Sequence, residues 1–271
     1  MGVSDAAGVT ESGDDVGHID IDGLTKVYAQ GKPTETVALQ DIDLEIKPGE
    51  FVSIIGESGC GKTTLLKCIG DLVEPSQGEI RIDGDSPRSA RKDQRMAFFF
   101  QEDVLLPWKS VEQNVLLPLS IQGHDTSDDA VRKRVDEVLE TVGLAGFKGQ
   151  KPAQLSGGMR QRVALARGFV FDPEIFLMDE PFAALDELTR RKMNTELLQI
   201  HQDLEKTTVF ITHHIPEAVY LSDRIIVLTP RPGQIDEIVE IDLDRPRDEQ
   251  TRQSDAFHEY EGHLTEKLIM R

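Results

Sequence analysis

Gly56-Glu57-Ser58-Gly59-Cys60-Gly61-Lys62-Thr63-Thr64 follows the short apolar run Phe51-Val52-Ser53-Ile54-Ile55 and opens a helical stretch through Leu65, Leu66 and Ile69. It matches G-x-x-x-x-G-K-[ST], and it has the strand, loop and helix context that this motif requires. The glycines let backbone N–H groups turn inward around phosphate oxygens, and the helix N-terminus adds partial positive charge. Lys62 is placed to reach the β- and γ-phosphates of a nucleoside triphosphate, and the Thr63 hydroxyl to bind Mg²⁺. Gly56, Glu57, Ser58, Gly59, Cys60, Gly61, Lys62, Thr63 and Thr64 are all candidate nucleotide-contacting positions. Cys60 reads as a small loop residue rather than a reactive thiol, and Cys68 as core.

Apolar runs recur on both sides of this loop. Upstream, two strand-like runs flank the Gln30-Gly31-Lys32-Pro33 turn, starting at about Ile19, and Pro48-Gly49 ends the second. Downstream, Glu79 to Gly84 is a strand closed by an Asp-Gly turn. Met96 to Phe100, Ile175 to Met178, Thr208 to Thr212 and Arg224 to Leu228 are nearly continuous apolar runs, the pattern of parallel strands covered on both faces. Between Gln101 and Ala166 no strand run occurs, and Val131, Val135, Val138, Leu139 and Val142 recur at helical spacing. The pattern predicts an α/β core with a helical insertion.

Two further stretches carry chemistry. Ile175-Phe176-Leu177-Met178 delivers Asp179 and Glu180 to the C-terminal end of a buried strand, where open α/β sheets bind ligands. Asp179 suits a Mg²⁺ role through water, and Glu180 suits a general base that polarises an attacking water. Leu155-Ser156-Gly157-Gly158-Met159 precedes the helical run Val163 to Arg167, so Ser156, Gly157 and Gly158 form a second anion-binding helix start, or Ser156 is a simple N-cap. A second phosphate-binding helix start makes sense if two copies meet, each covering the other's nucleotide.

Composition narrows the partners. The chain has 271 residues, 49 acidic against 30 basic, for a net charge of −19. Such a chain has no global attraction for phosphate backbones, so no nucleic-acid partner is expected. The densest basic stretch, Arg88, Arg91, Lys92 and Arg95, is interrupted by Asp93 and reads as a solvated face. No apolar run approaches the ~18–20 residues of a membrane span, and the N-terminus lacks the features of a signal peptide. Two cysteines make no disulfide framework and fit a reducing cytoplasm. Residues 1–18 read as a disordered acidic tail. The C-terminal part holds Phe257, Tyr260, Leu264 and Leu268 at helical spacing, which predicts a final helix packed on the core.

The phosphate loop, the Leu-Ser-Gly-Gly-Met stretch and the Leu-Met-Asp-Glu strand, in this order, resemble the ATP-binding subunit of an ABC transporter. The resemblance runs from about Ile19 to Asp244. It implies a P-loop NTPase core of mainly parallel sheet with an antiparallel β subdomain over 19–245, a helical subdomain inserted over about 102–165, and a C-terminal helical extension over 246–271. It implies ATP and Mg²⁺ as cofactors. It places Tyr28 as the aromatic that stacks on adenine, Gln101 as the Mg²⁺ contact and hinge to the helical subdomain, Asp186 in the Ala184-Leu185-Asp186 loop, and His213 as the switch histidine on the γ-phosphate. Two positions depart from the family: His214 stands where relatives carry Asp, and Gly168 where they carry Ala, at a helix cost of up to ~1 kcal/mol.

Gln101 to Val115 contains Leu105-Leu106-Pro107-Trp108 and is similar to the subfamily importing nitrate, sulfonates, taurine and related small anions; thiamine-precursor importers carry similar subunits. The resemblance implies an ATP-bound homodimer and a membrane permease docked at the Gln101–Trp108 region. It also implies an extracellular solute-binding protein and a place on the cytoplasmic face of the membrane. Trp108 is otherwise expected to pack under the helical subdomain. ABC ATPases of translation and DNA repair usually carry two cassettes or long coiled-coil inserts, and this chain shows neither. Exporters commonly fuse membrane spans to the cassette. The acid excess itself resembles cytoplasmic proteins of salt-loving archaea, where salt screens the repulsion.

Overall fold

The computed structural model describes residues 16–102 and 104–269. The chain begins with two long strands, β1 (Ile19–Tyr28) and β2 (Thr36–Ile46), and then β3 (Phe51–Ile55), α1 (Lys62–Ile69), β4 (Gln77–Ile82), α2 (Pro87–Lys92) and β5 (Met96–Phe99). The helical insertion follows: α3 (Val111–Val115), α4 (Leu117–Ile121), α5 (Asp129–Thr141), and α6 (Gly157–Phe169) after two short 3₁₀ turns. The chain then returns through β6 (Ile175–Asp179), α7 (Glu187–Leu204), β7 (Thr207–Ile211), α8 (Ile215–Leu221), β8 (Arg224–Leu228) and β9 (Ile235–Glu240), ending in α9 (Glu249–Arg252) and α10 (Asp255–Ile269).

The strands form two sheets. One is antiparallel in the order β2-β1-β4; the other has the order β5-β6-β7-β3-β8-β9, parallel except for β9. This is the α/β NTPase architecture expected from the sequence. Every residue of β3, β6 and β7 is buried, which explains their unbroken apolar runs. The period of two persists inside those runs. Phe51, Ile55, Phe176, Met178 and Phe210 point into the core under α6, α7 and α8. Val52, Ile54, Ile175, Leu177, Val209 and Ile211 point to the other face, packed on α1 and the antiparallel sheet.

Three features depart from the sequence reading. Gly17 and His18 are anchored rather than tail: they donate their backbone N–H groups to Asp83 Oδ1 at 2.9 and 2.8 Å. Residues 1–15, the rest of the predicted tail, lie outside the described residues. The second is β9, an edge strand that the sequence reading did not assign: Asp236 and Glu240 face outward, Val239 is buried, and Glu237, on the Val239 face, meets His263 of α10 at 3.0 Å. The third concerns Gly168. A Cβ there would lie 2.3 Å from Phe99 Cε1 and Cζ, so the glycine is the space into which the Phe99 ring packs.

The C-terminal segment closes over α8. Arg247 is buried and donates to the carbonyls of Val219, Tyr220 and Ser222 at 3.1, 3.0 and 2.8 Å, satisfying the end of α8. Burial pulls its guanidinium down to about 10. Tyr220 Oη donates back to the Arg247 carbonyl at 2.8 Å, Arg252 stacks 3.4 Å over the Tyr220 ring, and Phe257 and Leu264 of α10 are buried.

Candidate nucleotide site

The C-terminal ends of β3, β6 and β7 lie side by side, and each delivers one part of the site. After β3 the phosphate loop turns through Gly56, Gly59 and Gly61 at φ +155°, +79° and +116°. Glycine is required at 61, where a Cβ would sit 2.8 Å from the Ala38 carbonyl as well as in a left-handed backbone. Lys62 is buried, and its Nζ donates to the Gly56 and Glu57 carbonyls at 2.8 and 2.9 Å, so its ammonium is held at the centre of the loop.

After β6, Asp179 Oδ1 accepts the Thr63 hydroxyl at 3.0 Å. Burial pushes the Asp179 carboxyl above the usual carboxylate range and neighbouring Glu180 adds to the rise, while the Thr63 hydrogen bond and Lys67 and Lys62 oppose it. Glu180 takes a left-handed backbone at φ +47° and donates its N–H to the Ile211 carbonyl. A non-glycine residue in this region stores about 1 kcal/mol or more, as is common at functional sites. The turn brings Glu180 Oε2 to 3.0 Å from His213 Nδ1, just past β7.

These groups face a cavity of about 660 Å³ lined by Tyr28, Thr36, Ala38, Ser58, Gly59, Gly61, Lys62, Thr63, Thr64, Gln101, Glu180, His213 and Arg231. Tyr28 is exposed, with its hydroxyl 3.4 Å from Thr64 Oγ1. Gly56, Glu57, Cys60 and Asp179 are not in its lining. Cys60 is buried, and Asp179 stands behind Thr63.

Ser156, Gly157, Gly158 and Asp186 lie apart from the cavity. Ser156 caps α6, accepting from Met159 N at 3.3 Å, and Asp186 caps α7, accepting from Thr189 N at 3.0 Å. The two helix starts adjoin, since a Cβ on Gly158 would be 3.0 Å from Thr189 Cγ2. His214 also lies outside the lining, half-buried, with Nε2 3.7 Å from Glu187 Oε2. Burial lowers its imidazole from the ordinary range.

Sequence reasoning missed Arg231, whose signal is a basic residue before a Pro-Gly turn at the end of the strand beside β3. It also missed Glu217. This buried carboxyl, raised by burial, accepts from the Thr212 hydroxyl, which in turn accepts the His214 N–H at 3.0 Å, so it braces the backbone on which His213 is carried. Around Gln101 the chain stays at the surface. Asn114 is buried and ties the Leu106 to Ser110 segment through four hydrogen bonds, holding Trp108 67% exposed. Trp108 therefore does not pack under the subdomain.

The family profile described as ABC transporter matches residues 39–183. The chain belongs to the ABC transporter ATP-binding family. It is 42% identical over 242 residues to the aliphatic sulfonates import ATP-binding protein SsuB of Bacillus cereus, covering 89% of this chain and 92% of that one. It is also 42% identical over 228 residues to the nitrate import ATP-binding protein NrtC of Synechococcus elongatus, covering 84% of this chain and 34% of that longer protein. Among solved structures, an ATP-binding cassette determined as a dimer in a post-hydrolysis state, bound to ADP and Pi, aligns with a TM-score of 0.72. The alignment has 34% identity and covers 83% of this chain and 100% of that one. As a member of this family the ABC chain is an ATPase. Among its described residues no helix is long and apolar enough to cross a membrane.

Proposed function

We propose that this ATPase is the energising subunit of an importer for a small anion such as nitrate, a sulfonate or taurine, and that it works as a homodimer around two ATP–Mg²⁺. A thiamine-precursor or other small-solute importer is the second reading, because the transported solute does not touch this subunit. The observation that carries the proposal is the single cavity in which Lys62, Thr63, Gln101, Glu180 and His213 converge.

The residues divide the work. Lys62 exchanges its two loop carbonyls for β- and γ-phosphate oxygens, and the inward amides of the loop take the rest. The Thr63 hydroxyl and Gln101, with Asp179 through a water, would hold Mg²⁺ beside the phosphates. That ion would neutralise charge on the departing phosphate. Glu180 accepts the proton of the attacking water, and His213, 3.0 Å away, fixes the carboxylate and reaches the γ-phosphate. Tyr28 stacks on the base.

Ser156, Gly157, Gly158 and Asp186 sit outside the cavity but next to one another, a placement that supports their use against the nucleotide of a second copy. That a similar cassette was determined as a dimer bound to ADP and Pi supports a dimeric assembly. The exposed Trp108, on a segment pinned by Asn114, supports docking of a cytoplasmic helix of a permease, hence a peripheral place at the membrane's cytoplasmic face and an indirect tie to an extracellular solute-binding protein. The test is Glu180→Gln. ATP binding persists, a nucleotide-bound dimer accumulates on a sizing column, and turnover is lost; hydrolysis at the wild-type rate would refute the base assignment.

A further inference from the structure

The tip of the β8–β9 hairpin, residues 229–234, presses on the outside of the phosphate loop. Its shape is fixed internally: Thr229 Oγ1 donates to the Pro232 carbonyl and accepts the Gln234 N–H, both at 2.9 Å. It is tied to β2 by Gly233 N–H to the Ala38 carbonyl and Gln40 N–H to the Gly233 carbonyl, both at 3.0 Å. It lies flush against the loop itself, since a Cβ on Gly233 would be 2.2 Å from the Cys60 carbonyl oxygen. From this base Arg231 reaches into the lining of the nucleotide cavity, donating through Nε and Nη2 to the Gly59 carbonyl at 3.2 and 3.0 Å.

A loop that turns its N–H groups inward must turn carbonyls outward, and those carbonyls need partners. Lys62 takes Gly56 and Glu57 only while no phosphate claims its ammonium. Arg231 holds Gly59, a loop carbonyl that Lys62 does not take. A guanidinium has five N–H donors; two serve Gly59, which leaves donors for a ligand oxygen. Lys62 and Arg231 are the two Lys or Arg side chains in the lining.

We propose that Arg231 is a positioning residue that sets the phosphate loop through Gly59 and serves as the second cation for the polyphosphate tail of the nucleotide. The proposal rests on the nucleotide site described above. Its test is equilibrium binding of MgATP and MgADP, steady-state ATPase kinetics and thermal melting on wild type, Arg231→Ala, Arg231→Lys and Arg231→Gln. Arg231→Ala raises Kd and KM about tenfold, leaves kcat within about twofold and leaves the melting temperature unchanged, the size of one lost charge-assisted contact. Arg231→Lys, which keeps the charge with a single donor group, recovers part of the affinity. Arg231→Gln, which keeps an N–H for Gly59 without the charge, recovers less. Should Arg231→Ala melt early, the Lys and Gln variants decide: raised Kd in both supports the proposal. Kd and KM within twofold of wild type across the folded variants overturns it. Wild-type protein that binds no nucleotide would instead refute the site itself.

Discussion

Gly168→Ala sets a local rule against a packing contact. Alanine in place of glycine inside a helix gains about 0.8–1 kcal/mol by propensity alone. The structure opposes that gain, because the new methyl would stand 2.3 Å from two carbons of the Phe99 ring. Carbon atoms rest ~3.5–4.0 Å apart, so the ring must retreat by about 1 Å or more. It has little room to do so: Phe99 is 5% exposed and packs against Phe169 and Phe176, with ring centroids at 5.6 and 5.8 Å. Overpacking of this kind costs ~1–3 kcal/mol, which offsets the propensity gain and leaves a net loss of up to about 2 kcal/mol. Phe99→Leu removes the obstructing ring, and in that background Gly168→Ala should become stabilising by up to ~1 kcal/mol. Urea unfolding of the two single variants and the double variant gives the coupling directly, expected at about 1–3 kcal/mol. If Gly168→Ala stabilises the wild type as much as the Phe99→Leu variant, the contact does not explain the glycine.

His201 is 6% exposed, and burial lowers its imidazole to about 4. A depressed folded-state value gives stability that is present above pH 6.5 and lost as the pH falls toward 4, so His201 should cost about 1.5 kcal/mol between pH 6.5 and pH 5; His201→Gln should flatten that slope in urea titrations, and parallel slopes would refute it. Trp108→Ala should change stability by less than about 0.5 kcal/mol and leave basal ATPase activity intact, while abolishing co-purification with a co-expressed permease. Arg247→Met leaves the carbonyls of Val219, Tyr220 and Ser222 without their donor and should lower stability by about 2 kcal/mol or more in thermal or urea unfolding. Dilution from molar to millimolar KCl should lower the unfolding midpoint if the acid excess is screened by salt; an unchanged midpoint would count against that reading.

What could be read in the sequence and what could not differ in the range of the interaction. The phosphate loop was legible because a strand, three glycines, a lysine and a threonine are adjacent in the chain, and local backbone chemistry alone assigns them. The parallel strands were legible because a strand covered on both faces must be apolar at every position, as in Ile175 to Met178. β9 has no such constraint: at the edge of the sheet Asp236 and Glu240 face water, and its pairing with β8 is settled only by what lies across from it. Gly168 could not be explained from its own helix, because the reason for it is a ring 69 positions earlier in the chain. Arg231 and Glu217 were overlooked for the same cause. Each acts on a motif residue, Gly59 or Thr212, through a contact that only folding creates.

The acid excess and the polyanionic ligand are reconciled by where the cations go. Two of the four basic residues in the densest stretch are committed to acids of the same chain: Arg91 pairs with Asp71 at 2.9 Å, and Arg95 reaches Asp83, Asp85 and Glu174 at 2.9, 3.1 and 3.7 Å. They steady the junction of β4, α2 and β6. Lys62 and Arg231, unremarkable by density, stand in the cavity and spend their donors on loop carbonyls. The field of the whole molecule decays within about 10 Å at ordinary salt, whereas a buried charge held at hydrogen-bond distance, as Lys62 is, is hardly screened. On the proposed reading, affinity for a triphosphate depends on Lys62, Arg231 and a ring of oriented amides, so the remaining surface can carry its negative charge without opposing the site.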